Sequence, residues 1–537
     1  MAFYSWLSQS CRRIFPSDKA ERGGTLKIHC AMNERVSAQV AIRSSEENPM
    51  PVAVEVEVPA SCSARIRRVG YVPVQHHNTG TTEEELDGVG KIPGYVPDPL
   101  FEETSLLLPP NEAHAFWLSI VPAPEFSEGE IEVKVTVKPE NGKPMSHKIV
   151  LNVYPLRLPA RKGFNVTNWF YADALIDWYK TDLFDERFWE ILEKYFLNIV
   201  EKGQDTIYVP TFTPPLDGVK RPSQLLKVKK GANGHYDFNW DDVKKYIRLA
   251  KKCGFTNFEW SHLFTQWGVK NALRIYEGQG KDEKLLWPVE TGATSAIYKN
   301  FLKQFLPQLR HFLASEKILN KSFFHLSDEP HGDEHLANYR AARELLTELA
   351  PWMKVMDALS QIDFAKHELV DMPVPSIGTA LGFVKEKIPC WCYYCGGPRG
   401  KYLNRLMDTP LQKIAMHGFL FHRWPFLGFL HWGYNYWCES QTRNLIDPFT
   451  VQDGKRWPGW AYGDTFVVYP GPNGPIDSIR WEIFGEAMQD YALLQGAGIS
   501  RDDKLMKKIS SFEDFPKDAS WRLDARRRIL RAWAEKN

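Results

Sequence analysis

The sequence predicts a multidomain chain, all-β and then α/β: an N-terminal β-sandwich, a (β/α)8 TIM-type barrel and a C-terminal helical extension. Two patterns predict it. Short runs of alternating apolar and polar residues, punctuated by Pro, Gly and Asn, fill Thr25 to Pro155. After Gly163 strand-like runs alternate with helices of period 3.6, giving eight strand candidates. At 537 residues the chain is also too long for one ordinary core. The expected domains are residues 1–158, 159–500 and 501–537. No glycine-rich phosphate fingerprint is present, which argues against a dinucleotide fold. A doubly wound sheet stays open, because strand order is not readable from sequence.

In the first part, Gln39-Val40-Ala41-Ile42, Val52 to Val58, Ile131 to Val137 and Ile149 to Val153 alternate with period two and predict antiparallel strands. Glu140-Asn141-Gly142-Lys143 is a hairpin turn between two of them. Thr79 to Gly94, acidic and glycine-rich, reads as a long exposed loop, and His76 and His77 before it as surface residues. Tyr154 to Gly163, with two prolines and three cationic residues, is the boundary.

In the second part the expected strands are Asn165 to Tyr171, Thr206 to Val209, Phe258 to Leu263, Phe323 to Ser327, Trp352 to Ala358, Val374 to Thr379, Ile388 to Tyr394 and Phe426 to Tyr434. Between them, Phe188, Ile191, Leu192, Tyr195, Phe196 and Ile199 share one helix face, with Gly203 suited to C′. Val243, Tyr246, Ile247 and Ala250 mark a second helix, ended by Gly254; two more run near Tyr298 to Leu313 and through Leu336 to Leu349. Asp502 to Asn537 has helical composition and is expected to pack on the barrel.

Composition excludes several classes. Hydrophobic content of 43% and charged content of 25% are those of a soluble globular protein. A formal charge of +1 gives no support for nucleic-acid or acidic-membrane binding. Arg12 and Arg13 follow the apolar residues of the N-terminus, the reverse of a signal peptide, and no long uncharged apolar segment occurs, so a cytoplasmic location is expected. Eight Cys fit reduced thiols better than a disulfide framework. Cys390, Cys392 and Cys395 lack a second ligand pair at zinc spacing, so no metal or cofactor is expected and buried thiols are the better reading. Aromatic content is high at 13%, with 19 Trp. Such residues are ordinary core, but at a cleft they also stack on the C–H faces of sugar rings.

The chemistry centres on Phe323-Phe324-His325-Leu326-Ser327-Asp328-Glu329-Pro330-His331. An apolar run delivers two adjacent carboxylates, and Pro330 biases Glu329 toward extended geometry. Two buried neighbouring acids repel, so one of them is expected to hold a proton near neutral pH, as general acid catalysis requires. The competing reading is a helix N-terminus, with Asp-Glu-Pro as capping chemistry. Barrel catalysis occurs at the C-terminal strand ends, which is where this register puts Asp328 and Glu329. The other ends carry Trp169 and Tyr171, Glu259 and His262, Tyr393 and Tyr394, and Trp432, Asn435 and Trp437. Successive strand residues face opposite ways, so both acids reach one site only if the strand ends or bulges there.

His325-Leu326-Ser327-Asp328-Glu329-Pro330, followed by Gly463-Asp464-Thr465-Phe466-Val467-Val468-Tyr469-Pro470-Gly471, Ser478 to Glu482 and Gln489-Asp490-Tyr491, resembles the glycoside hydrolase family 123 β-N-acetylgalactosaminidases. The resemblance covers nearly the whole chain. It implies an exo-acting, retaining, substrate-assisted hydrolase of terminal β-linked N-acetylgalactosamine, acting on an oligosaccharide or glycoconjugate and passing through an oxazolinium intermediate, an exception to the two-carboxylate scheme. Carried over by position, Glu329 is the acid/base and Asp328 stabilises the acetamido group. Tyr394, or Tyr393 with nearly equal claim, bonds the acetamido oxygen. Trp432 or Trp437 floors the pocket, against ordinary packing. Asn435 and His262 bond hydroxyls, against buried structural roles. Asp464 binds sugar hydroxyls, against a cap or turn role. Arg480 and Glu482 read as structural charges. Two alternatives stay open: a β-N-acetylhexosaminidase of other specificity, and a carbohydrate-binding protein without catalysis. The sandwich has three open roles: binding sugar, covering the barrel, or mediating a homo-oligomer.

Overall fold

The computed structural model of the chain describes residues 3–123, 128–214, 223–278, 282–440, 442, 444–452, 456 and 459–536. It is a mixed, sheet-rich fold with helices, beginning with an N-terminal sheet domain. Ten strands, β1 to β10, make two five-stranded sheets there. One has the order β1 (Phe3–Gln9), β3 (Val36–Ser44), β8 (Ala113–Pro122), β5 (Cys62–Val74) and β6 (Gly94–Phe101). The other runs β2 (Thr25–Ala31), β10 (Met145–Tyr154), β9 (Gly129–Pro139), β4 (Met50–Glu57) and β7 (Ser105–Leu108). Val40, Ile42, Phe116 and Leu118 of the first sheet meet Val52, Val133, Val135 and Ile149 of the second in one core, as alternation requires. Pairing is antiparallel except between β2 and β10, which run parallel. The hairpin at 140–143 closes β9 onto β10.

Strands lie at or beside all eight expected positions of the second part, each no longer than its sequence pattern; the one expected at Val374 to Thr379 runs earlier and shares only Val374. They are β11 (Asn165–Asn168), β12 (Thr206–Val209), β13 (Asn257–Trp260), β14 (Ser322–Phe324), β15 (Met356–Ala358), β16 (Met372–Val374), β17 (Cys392–Tyr393) and β18 (Gly428–His431). Regular pairing groups them into three parallel sheets, β11-β18-β17, β12-β13-β14 and β15-β16, rather than one laddered ring. Single parallel bridges, Phe324 with Val355 and Ser376 with Tyr393, lie between those sheets. Side chains replace part of the ladder: Asp205 Oδ1 accepts from Val166 N at 3.0 Å, and Asp357 takes the Leu326 and Ser327 amides.

The helices follow their periodicity. Glu186–Glu201 buries the predicted face, with Gly203 at C′ in left-handed geometry (φ 89°). Asp241–Cys253 ends on Gly254 at φ 111°. Ala296–Ser315 and Gly332–Leu349 complete the expected set. The C-terminal extension is helical only over Ala519–Ala534; its first half contains a single 3-10 turn. That helix joins both parts of the chain, because Arg526 pairs with Glu34 of the sandwich and with Asp490 of helix Ile479–Gly496.

The sandwich is tied to the second part through buried charge. Arg67 on β5 bonds Asp477 (2.6 Å) and Glu482 (2.8 Å), and Lys202 joins Glu482 at 2.7 Å. Arg480 pairs with Asp98, not with Glu482. These charges are paired and hydrogen-bonded, as burial demands. Thr79 to Gly94 does not lie free as its composition suggested. Thr79 is buried and bonds Asp408 (2.7 Å), and Glu85 sits between Lys413 and Lys517. His76 is exposed as expected, but His77 is half-buried, with Nδ1 3.8 Å from Asp408.

Among the described residues, no helix is long and apolar enough to cross a membrane. All eight cysteines are free thiols.

Candidate active site

Strand β14 stops at Phe324, and the chain beyond it is held residue by residue. The His325 and Leu326 carbonyls accept from Leu263 N and Phe264 N, each at 3.0 Å. Asp357, on β15, accepts from the amides of Leu326 and Ser327 at 3.1 and 3.3 Å and from the Tyr339 hydroxyl at 2.5 Å. Ser327 Oγ donates to Thr265 O (2.8 Å), Trp267 N to Asp328 O (3.0 Å) and Glu329 N to Ala358 O (2.9 Å).

Held this way, Glu329 has φ 44°, in the left-handed region. The extended geometry expected before Pro330 is therefore not adopted. Tertiary bonds override the local preference, at a cost of about 1–2 kcal/mol for a side-chain-bearing residue. The turn breaks the alternation of the strand, and Asp328 and Glu329 line the same cleft. The helix-cap reading fails as well: the next helix begins at Gly332, with His331 at its N-cap.

The cleft is lined by Trp169, Gln266, Trp267, Tyr393, Cys395, Trp432 and Trp460 around the two acids, with Ala358 and Leu430 between them. Tyr393 donates to Glu329 Oε1 at 2.7 Å. Burial, and then the Glu329 carboxylate, push the Tyr393 phenol far above its ordinary range, so it acts as a donor. Trp169 Nε1 donates to the buried Glu259 at 2.6 Å, which fixes its ring. Asp464 is buried, and its Oδ2 accepts from Trp432 Nε1 (2.8 Å) and Trp460 Nε1 (3.2 Å), setting two indoles nearly perpendicular. Gly433 makes that approach feasible, since a Cβ there would lie 2.5 Å from Asp464 O.

Beneath the acids lies a buried ionic layer. His325 places Nε2 2.6 Å from Glu259 and Nδ1 3.1 Å from Asp357. Burial alone would depress the imidazole, but hydrogen bonds to Asp357 and Glu259 outweigh it and hold the pKa up at about 10. His262 stacks on His325 at 4.4 Å; burial, and then that cation, drive its pKa well down.

Six predicted residues reach the cleft or hold its wall: Asp328, Glu329, Trp169, Tyr393, Trp432 and, behind the indoles, Asp464. Five are placed elsewhere. Tyr394 points to the other face of its strand, its hydroxyl 2.6 Å from His417 Nε2. Tyr171 donates to Trp432 O at 2.9 Å from a buried position. Asn435 is spent on the Tyr171 backbone, accepting at 2.9 Å and donating at 3.0 Å. Trp437 is fully buried and donates to Val468 O at 3.0 Å. His262 is buried against Tyr208 and His325.

Gln266, Trp267, Cys395 and Trp460 were not anticipated. Trp267 is 47% exposed at the cleft beside Gly268, and Trp460 stands four residues before Asp464, so an aromatic search around that acid would have found it. Among the described residues, His262, His325 and Asp357 are spaced to hold a metal. The donor chemistry does not fit one, because His325 commits both nitrogens to carboxylates and stays protonated.

A family model described as the catalytic domain of glycoside hydrolase 123 matches residues 169–497. A solved structure of a family 123 glycoside hydrolase from Clostridium perfringens, described in terms of glycolipid glycan hydrolysis, superposes with a TM-score of 0.76 at 14% identity, covering 100% of this chain and 99% of that one. A Bacteroides ovatus GH5 xyloglucanase in complex with a heptasaccharide gives a TM-score of 0.32 at 10% identity, over 87% and 98% of the two chains. No curated protein matches the chain in sequence.

Proposed function

Since the chain belongs to glycoside hydrolase family 123, and is thus a hydrolase of glycosides, we propose that it is an exo-acting, retaining enzyme that releases terminal β-linked N-acetylgalactosamine with help from the substrate's own acetamide. One observation carries the reading: the turn at Glu329 brings two sequence-adjacent carboxylates into one aromatic cleft.

In the first step the acetamido oxygen attacks C1 as the glycosidic C1–O bond breaks. Glu329 gives its proton to the departing oxygen, and an oxazolinium ring closes. The amide nitrogen gains positive charge, which the Asp328 carboxylate stabilises. In the second step Glu329 takes a proton from water, the water oxygen bonds C1, and the ring opens with net retention. Tyr393 donates to Glu329 Oε1, so that bond strengthens as the acid becomes an anion. Trp169, Trp432 and Trp460 supply apolar faces for the sugar ring.

We also propose that β11 to β18 close into a (β/α)8 barrel with the cleft at its C-terminal rim. In support, the three sheets follow one cyclic order: β14 bridges toward β15 through Phe324 and Val355, β16 toward β17 through Ser376 and Tyr393, and Asp205 N before β12 bonds Val166 O on β11.

The test is a panel of chromogenic β-N-acetylhexosaminides, with glycolipid glycans included because that class is named for the Clostridium perfringens relative. Hydrolysis of the galactosamine substrate, with the β-anomer as first product by proton NMR, is expected. An α-anomer would rule out substrate assistance. Turnover of another hexosaminide would revise the sugar, and sugar binding with no turnover would leave a binding protein.

A further inference from the structure

Trp460 enters the cleft from segment 459–465, which belongs to no helix or strand. Its indole is fixed by Asp464, but its backbone is fixed by the sandwich. Asn78, on the loop after β5, donates from Nδ2 to Trp460 O and accepts at Oδ1 from Tyr462 N at 3.3 Å. One carboxamide thus binds the residues on both sides of Ala461. The loop is braced in turn. Arg399 reaches Asn78 O (3.1 Å) and Gly459 O (3.3 Å), and Nδ1 of His76 lies 3.3 Å from the Tyr462 hydroxyl. Thr81 Oγ1 accepts from Gly400 N at 3.2 Å.

We propose that the N-terminal sandwich completes the sugar-binding cleft, with Asn78 as a positioning residue that holds Trp460 in place; this rests on the sugar-cleft reading given above. The acids do not depend on this loop, since Asp328 and Glu329 are anchored through Trp267 N and Ala358 O. Loss of Asn78 therefore weakens binding more than chemistry. Met407 N to Tyr462 O (2.8 Å) and Gly463 N to Gln452 O (3.1 Å) hold the far side of Ala461 without Asn78, so removal of the bidentate partner shifts the Trp460 side, where nothing periodic restores it.

The experiment is a double-mutant cycle on the full chain, using whichever β-glycoside of the panel the wild type turns over. Asn78→Ala is expected to raise KM about tenfold with kcat changed less than threefold, and Trp460→Ala to do the same. The double variant should be no worse than Trp460→Ala alone, because both act through one indole. An unchanged KM in Asn78→Ala, or effects that multiply fully in the double variant, would overturn the proposal. Should Asn78→Ala fail to fold, Asn78→Asp keeps the acceptor for Tyr462 N and loses the donor to Trp460 O; it carries the same expectation and the same refutation. If no N-acetylhexosaminide is turned over but another β-glycoside is, the sugar assignment fails while the cycle still decides the role of Asn78.

Discussion

The Tyr393 hydroxyl donates to Glu329 Oε1 across 2.7 Å, from β17 to the turn that follows β14. In the proposed mechanism the other carboxyl oxygen, Oε2, exchanges the proton with substrate. Tyr393→Phe removes a donor whose bond strengthens as negative charge develops. Hydrogen bonds to charged groups are worth about 1.5–3 kcal/mol, so kcat/KM is expected to fall roughly 10- to 100-fold, mostly in kcat. Steady-state kinetics checks it; a rise in KM alone would instead make Tyr393 a binding group. Tyr394→Phe, whose hydroxyl faces His417, should leave kcat unchanged at constant temperature.

Asp464 accepts from two indoles through one oxygen. Asp464→Ala is expected to free Trp432 and Trp460 together, raise KM about tenfold or more and blunt the tryptophan fluorescence response to sugar, with a smaller change in kcat. A large fall in kcat at constant KM would show that Asp464 touches the reacting sugar itself.

These two cases show where sequence reasoning stops. The β17 run announces two neighbouring tyrosines, and alternation says that one of them faces inward. The phase is set by pairing of Tyr393 with Leu430, a contact across 37 residues that no local pattern contains. The strands and helices could be read because their periods are local. The acids could be found because a polar pair ends an apolar run. Buried Asn435 and Trp437 have the same composition as a sugar-binding rim, yet their polar atoms are consumed by the Tyr171 and Val468 backbones. Asn78 and Trp460 meet through irregular loops far apart in sequence, where neither periodicity nor spacing gives a signal.

The buried histidines set a pH window for stability. His325 is raised to about 10, against 6.5 unfolded, so its contribution is complete below pH 6.5 and is lost as pH climbs toward 10. Asp357 is raised too, by burial first, so its preference for the folded state fades in the same direction, as pH climbs from the ordinary carboxylate value through the raised one. His417 is lowered to about 3 and His431 to about 4, each by burial first; both oppose folding as pH drops below 6.5. The thermal midpoint should therefore peak near pH 6.5 and fall on both sides. His325→Gln should flatten the alkaline limb while lowering the midpoint at every pH, since two buried carboxylates lose their cation, a loss of about 3–5 kcal/mol for a broken buried pair. An unchanged alkaline limb in that variant would remove His325 as its source.

The strained turn at Glu329 separates stability from activity. Glycine adopts φ 44° without the steric penalty. Glu329→Gly should thus lose activity on sugar or alkyl leaving groups yet unfold no earlier than the wild type, because relief of about 1–2 kcal/mol offsets the lost bond to Tyr393. A thermal midpoint lowered by several degrees would show that the glutamate side chain, rather than the backbone bond to Ala358, holds the turn.

Asp328 and Glu329 are distinguished by the leaving group. Glu329→Gln removes proton donation, typically worth about 10²–10⁴-fold, and its effect should be largest for sugar or alkyl leaving groups and much smaller for nitrophenolate, which departs without a proton. In the proposed mechanism Asp328→Asn removes the charge that stabilises the oxazolinium nitrogen. That cation forms whatever departs, so the loss of kcat should be similar across the leaving-group series. Plotting log kcat against leaving-group pKa for the three proteins should give a steeper slope for Glu329→Gln and a parallel, lower line for Asp328→Asn. If the two variants gave the same slope, the two carboxylates would share one role, and the division of labour assigned to them in this cleft would be wrong.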